Sequence, residues 1–169
     1  MRILAALLVA GAAIASAAAE PVTMREAMTE LRNRGANQLE AVLLHGVPVI
    51  KGTIKEQGFT ASMYQCELPD YDCRVVIARA CVEAPSIGGA EALELANAYN
   101  LQREPRGYVL VSELSPSSAS LCVQARYDLG GENKFNMSET FEWQETVKGF
   151  VEFMSEATRS AMARDLLAD

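Results

Sequence analysis

Between residues 143 and 161, apolar side chains recur at steps of four and three: Trp143, Val147, Phe150, Met154, Ala157 and Ala161. A step that alternates in this way keeps one face of a 3.6-residue helix apolar, so the pattern predicts a long C-terminal helix. Its start is placed near Asn136, whose side chain could pair with Glu139 in a cap. Two shorter helical segments precede it. Met24, Met28 and Leu31 share a face behind Thr23-Met24-Arg25-Glu26, a sequence that fits a capping box, and Gly35 is a plausible stop. This predicts a first helix over 24–34. Ala92, Leu95, Ala96 and Tyr99 make a narrow apolar face after the breaker Pro85-Ser86-Ile87-Gly88-Gly89, which predicts a middle helix over 90–101.

Elsewhere the period changes to two. Leu39, Ala41 and Leu43 alternate with Gln38, Glu40 and Val42 before the turn at His45-Gly46. Residues 48–54 and 58–66 read as the next strands, joined through Lys55-Glu56-Gln57-Gly58. Residues 74–82 (RVVIARACV) are apolar on both faces at their start, as a central strand would be. Residues 108–114 and 121–127 form a later pair around Ser115-Pro116-Ser117-Ser118, closed by Gly130-Gly131. Strands grouped by turns too short for crossovers imply an antiparallel sheet of the α+β class. The expected order is α-β(3-4)-α-β-β-α, with the long last helix covering one sheet face.

The N-terminus adds a compartment. Arg2, the apolar run 3–14 and the small residues Ala17-Ala18-Ala19 match a secretory signal peptide cleaved before Glu20. The run is shorter than the about 20 residues of a membrane span. The expectation is a signal peptide at 1–19 and one exported domain at 20–169, periplasmic or secreted, with no membrane attachment after cleavage. The whole chain has 22 acidic and 15 basic residues, a net charge of −7. It becomes one unit more negative once Arg2 is removed. An acidic chain with no basic cluster is a poor match for nucleic acid or anionic lipid, which are bound through patches of Lys and Arg.

The order of elements and several local motifs resemble the bacterial YbjN family, which is related in fold to type III secretion chaperones. The residues that carry the resemblance are YQCELPDYDCRVVIARA, Asn97-Ala98-Tyr99-Asn100 at the end of the middle helix, the hairpin GYVLVSEL…LCVQARYDLGG and the helix segment TFEWQETVKGFVEFM, together spanning about residues 22–156. Tyr99 stands where the pattern usually has Trp, and Pro105 precedes the following strand. The resemblance implies a non-enzymatic protein with a role in stress response or regulation, binding another protein or a second copy of itself. It brings no catalytic residues with it.

Four cysteines in an exported chain point to disulfides. The spacing C-x6-C-x7-C with a distant fourth cysteine fits no zinc pattern, and there is no C-x-x-C redox motif. Cys66 is expected to end one strand and Cys73 to begin the next, so a bridge between them would staple the hairpin mouth. Cys81 and Cys122 each fall on the less apolar face of their strands and would pair if those strands are neighbours. Other candidate chemistry is sparse. His45 is the only histidine and has no local acid–base partner. Gly88-Gly89 lacks a phosphate-binding motif around it. Asp70-Tyr71-Asp72 is short of calcium ligands, and Glu139, Glu142 and Glu145 fit a solvated helix start. Asn97 and Asn100 read as terminators of the middle helix. No metal, cofactor or catalytic residue is assigned. A binding module is the favoured class; the alternative is an enzyme whose site is assembled from scattered residues.

Overall fold

The computed structural model describes residues 22–69, 71–102, 107–115, 118–128 and 137–168, without the side chains of 102, 114, 137–141 and 164–168. The expected signal peptide, Asp70, Pro105, the centre of the serine turn, Gly130-Gly131 and Asn136 lie outside these residues. The chain begins with helix α1 (Met24–Asn33), followed by four strands: β1 (Asn37–Leu44), β2 (Val47–Ile54), β3 (Gln57–Tyr64) and β4 (Val75–Pro85). Helix α2 (Gly89–Gln102), strands β5 (Tyr108–Leu114) and β6 (Ser118–Asp128), and helix α3 (Met137–Ala168) complete it. All six strands join one antiparallel sheet in the order β1-β2-β3-β4-β6-β5. This is the α+β architecture that the alternation of periods predicts.

The start of α1 uses the capping box. The Glu26 backbone N–H donates to Thr23 Oγ1 (3.2 Å) and the Thr23 N–H donates to Glu26 Oε2 (2.9 Å). Arg34 is the C-cap, and Gly35 at φ 85° supplies the left-handed residue that ends the helix. The β1–β2 loop is His45-Gly46, with φ 51° and 82°, the positive pair a two-residue hairpin needs. The next loop is tighter than its glycine suggests. Ile54 pairs with Gln57, so Lys55 and Glu56 make the turn at φ 48° and 68°, while Gly58 lies inside β3 opposite Thr53.

All three helices pack on one face of the sheet around a single core. Ala27 and Leu31 from α1, Ala92, Ala96 and Tyr99 from α2, and Trp143, Val147, Phe150 and Met154 from α3 share it with Ile50, Ala61, Ala78, Leu121 and Val123 from the strands. The α3 stripe is buried as its period requires: Phe150 and Met154 have no solvent exposure. The Tyr99 ring meets Phe150 edge-on at 5.8 Å and Phe153 at 5.3 Å, which joins α2 to α3.

Two disulfides lock the strands. Cys66–Cys73 has its Cα atoms 3.9 Å apart and Cys81–Cys122 has them 4.0 Å apart. The first pair lies just outside the strands rather than at their ends, because β3 stops at Tyr64 and β4 starts at Val75. It closes a loop pinned by the Glu67–Asp72 bridge, and Cys73 exchanges both backbone hydrogen bonds with Val22 at 3.0 Å. The approach to α1 is thereby tied to the stapled loop. Cys81 and Cys122 are directly opposed on neighbouring β4 and β6.

Candidate functional site

With the helices on one side, the opposite sheet face carries no helix among the described residues. Along it, rows of cross-strand neighbours divide into two halves. Near the β1–β2 turn the rows are apolar: Leu44 beside Val47, Tyr64 beside Val75, and Val42 beside Val49. Val49 and Val75 are buried yet stand apart from the helix-covered core. Further along the rows become polar, with Lys51, Thr60, Arg79 and Gln124 in line.

The polar half is braced internally. Arg79 donates from Nε (3.2 Å) and Nη2 (2.6 Å) to Gln124 Oε1, and Gln124 Nε2 donates to the Tyr108 hydroxyl. Gln57 Nε2 donates to the carbonyl of Cys81 at 2.8 Å. Gln124 is 7% exposed and both ends of its amide are used, so the network fixes the face and offers no acid–base pair. At the end of β6, Arg126 holds the Asp128 carboxyl below its usual range through a 2.8 Å charge-assisted hydrogen bond. Asp128 raises the Arg126 guanidinium in turn.

The two edges of the sheet differ. On the β5 side, Asn100 of α2 occupies the edge: its Nδ2 donates to the Val109 carbonyl (2.9 Å) and the Val109 N–H donates to its Oδ1 (2.7 Å). The helix runs on to Gln102, so neither Asn97 nor Asn100 terminates it. Asn97 is solvent-exposed, and Asn100 clamps a strand. No comparable cover lies over β1 among the described residues. Six of its eight residues are exposed, Leu43 at 51% and Leu44 at 45%. A long edge strand with exposed leucines is a template for another chain.

One groove adjoins that edge strand, and a second lies past its turn against β2 and β3. The first, of about 300 Å³, lies between α1 and the helix-side face of β1, lined by Met24, Arg25, Met28, Thr29, Arg32 and Ala41. The other, about 270 Å³, lies at the β1–β2 turn, where Val47, Pro48, Tyr64, Leu68 and Tyr71 meet the Cys66 end of the staple. Leu68 is 74% exposed at its mouth. A third cleft of about 450 Å³ separates α2 from α3 and carries Glu91 and Glu156 over Leu95 and Phe153.

The remaining residues singled out in the sequence stay apart. His45 is exposed on its turn, and Gly88-Gly89 opens α2. Asp72 is held in the stapled loop, Glu145 pairs with Lys55 at 3.5 Å, and the Glu139 side chain is not among those described. Among the described residues no three His, Cys, Asp or Glu side chains assemble a metal set, and no helix is long and apolar enough to cross a membrane. Sequence reasoning missed the arginine-flanked groove. Only its helix wall was signalled, since Arg25 and Arg32 are seven residues apart and therefore on one helix face with Met28. No protein-family model, curated protein or solved structure matches this chain.

Proposed function

We propose that this chain is an exported, non-enzymatic binding module of the YbjN type that recognises another protein, in a role of stress response or regulation. One observation carries the reading: among the described residues nothing covers the β1 edge, where Leu43 and Leu44 are exposed, while Asn100 clamps the opposite edge. Strand addition to such an edge gives affinity through main-chain hydrogen bonds, with specificity from neighbouring side-chain pockets. The groove between α1 and β1 is a pocket of that kind. Two disulfides fit an oxidising compartment, which supports a periplasmic or secreted location.

The test is photo-crosslinking in the producing cell, with Leu43→p-benzoylphenylalanine on the edge and Glu83→p-benzoylphenylalanine on the polar half of the sheet face opposite the helices as the control. A discrete protein adduct from position 43 and none from position 83 is the expected result. A second copy of the chain is one partner this experiment would reveal. Position 43 giving no adduct while the protein is folded and exported would remove the edge as a binding surface.

A further inference from the structure

We infer that the groove between α1 and β1 takes an acidic, extended segment of another protein, laid along the free edge of β1; this deepens the protein-binding reading and rests on it. Charge is the first argument. The chain carries 22 acids against 15 bases, so its surface as a whole repels acidic partners. The groove is an exception, because two of its six lining residues are arginines and none is acidic. Neither Arg25 nor Arg32 has an ion-pair partner among the described residues. Both side chains are exposed, so neither guanidinium is spent on holding the fold.

Geometry is the second. Seven residues bring two helical positions to within about 20° of the same direction, roughly 10.5 Å apart along the axis. Glu26 lies off that line, its carboxylate turned back to the Thr23 amide and hydroxyl. Between the arginines the floor is apolar: Met24 and Met28 are half-buried, and Ala41 faces the helix side because it pairs with the core residue Ile50. Ala41 is exposed there, so the helix leaves that strip of the sheet uncovered and the small side chain keeps the groove open.

An added strand answers both features. Its backbone would bond to the free edge of β1, and every second side chain, about 6.8 Å apart, would point into the groove. Carboxylates at successive inward positions reach Arg25 and Arg32, and their methylene stems rest on the methionines between. The row of backbone groups along β1 selects a peptide over an anionic lipid surface, which has no matching donors and acceptors. The acidic cleft between α2 and α3 would not take such a segment.

The test uses the mature protein and a fluorescent, end-blocked nine-residue peptide alternating Glu with Val, with a Lys–Val counterpart and phosphatidylglycerol vesicles as comparison arms. Anisotropy should show saturable binding of the Glu–Val peptide, weakened by salt, and weaker binding of the Lys–Val peptide. The double variant Arg25→Glu/Arg32→Glu should lose on the order of tenfold or more in affinity for the first peptide and bind the second more tightly than the parent does. If its thermal melt shows that it does not fold, Arg25→Gln/Arg32→Gln must shift the Glu–Val affinity in the same direction. Equal affinity for both peptides, no effect of the arginine changes, or tighter binding to the vesicles than to the peptide would overturn the inference. So would a Leu43 crosslink to a second copy of this chain alone. A Leu43 adduct with another protein that survives Arg25→Glu/Arg32→Glu would sink this inference while leaving the protein-binding reading intact.

Discussion

Cys81 and Cys122 face each other across β4 and β6 as one register pair, with Cα atoms 4.0 Å apart. That separation matches the closer, non-hydrogen-bonded type of antiparallel pair, in which opposing side chains approach most nearly. The bond joins strands separated by α2 and β5 in the sequence, whereas Cys66–Cys73 closes a local loop. Loop-closure entropy makes the two unequal: about 4 kcal/mol for the long loop against about 2.5 kcal/mol for the short one in the chain-entropy model. Replacing Cys81 and Cys122 with serines should therefore lower stability more than replacing Cys66 and Cys73. Burial does not distinguish the pairs, since Cys122 and Cys73 are both fully buried and the order rests on loop length. Urea unfolding of both double variants checks the order. A larger loss for the Cys66/Cys73 variant would show that the stapled loop, with its tie to Val22, matters more than chain entropy.

Phe150 sits at the centre of the helix-covered core with no exposure, edge-on to Tyr99. Truncation leaves a cavity between α3, α2 and the sheet, so Phe150→Ala should cost about 3–5 kcal/mol. Phe153→Ala, on a half-buried ring of the same helix, should cost less. Equilibrium unfolding compares them. A Phe150→Ala protein as stable as the parent would mean that α3 does not seal the core.

The Asn100 clamp is a polar interaction with a local readout. Asn100→Leu leaves the Val109 N–H and C=O without their partner on the β5 edge, and a part-buried backbone group left unpaired costs about 1–3 kcal/mol. Amide exchange at Val109 should accelerate in this variant more than at Val123, its partner across β6. Asn100→Asp keeps the acceptor for the N–H but loses the donor to the carbonyl, and should fall between parent and leucine. Unchanged exchange at Val109 in Asn100→Leu would show that α2 covers the edge without this side chain.

How much of this was legible depends on the range of the signal. The α3 stripe and the Thr23–Glu26 box are written in steps of three and four, and both came out where the periodicity puts them. The cysteine faces were legible from alternation along each strand, but their pairing needed β4 beside β6, a fact of topology. Gly58 misled as a turn residue because its freedom of φ says nothing about register, and the Ile54–Gln57 pair closes the hairpin one step earlier. Asn100 was ambiguous for a similar reason. An asparagine near a helix end can cap the helix or reach a strand, and only the position of β5 decides. The groove could not be read at all as a groove. Arg25, Met28 and Arg32 are visibly on one helix face, but the gap beside them depends on the exposed Ala41 of the edge strand lying next to that face, which is a matter of tertiary packing.

That gap depends on how β1 is seated, and Gly52 tests the seating. A Cβ at this position would lie 2.5 Å from Leu39 Cδ2, 3.0 Å from Phe59 Cε1 and 3.1 Å from the Asn37 carbonyl oxygen. Leu39 and Asn37 belong to β1, so the missing side chain on β2 is what lets the edge strand lie close at its bulged start. Gly52→Ala should push β1 outward and cost about 1–3 kcal/mol through overpacking. Because the displaced strand forms one wall of the groove, affinity for an added acidic segment should fall with it. Gly58→Ala is the control: its Cβ would meet nothing within 4 Å, and β3 should tolerate it or gain slightly, by up to about 1 kcal/mol. Urea unfolding of the pair gives the answer. Equal stability of the two variants would show that β1 is not held against Gly52, and that the edge is looser than the contact with Leu39 implies.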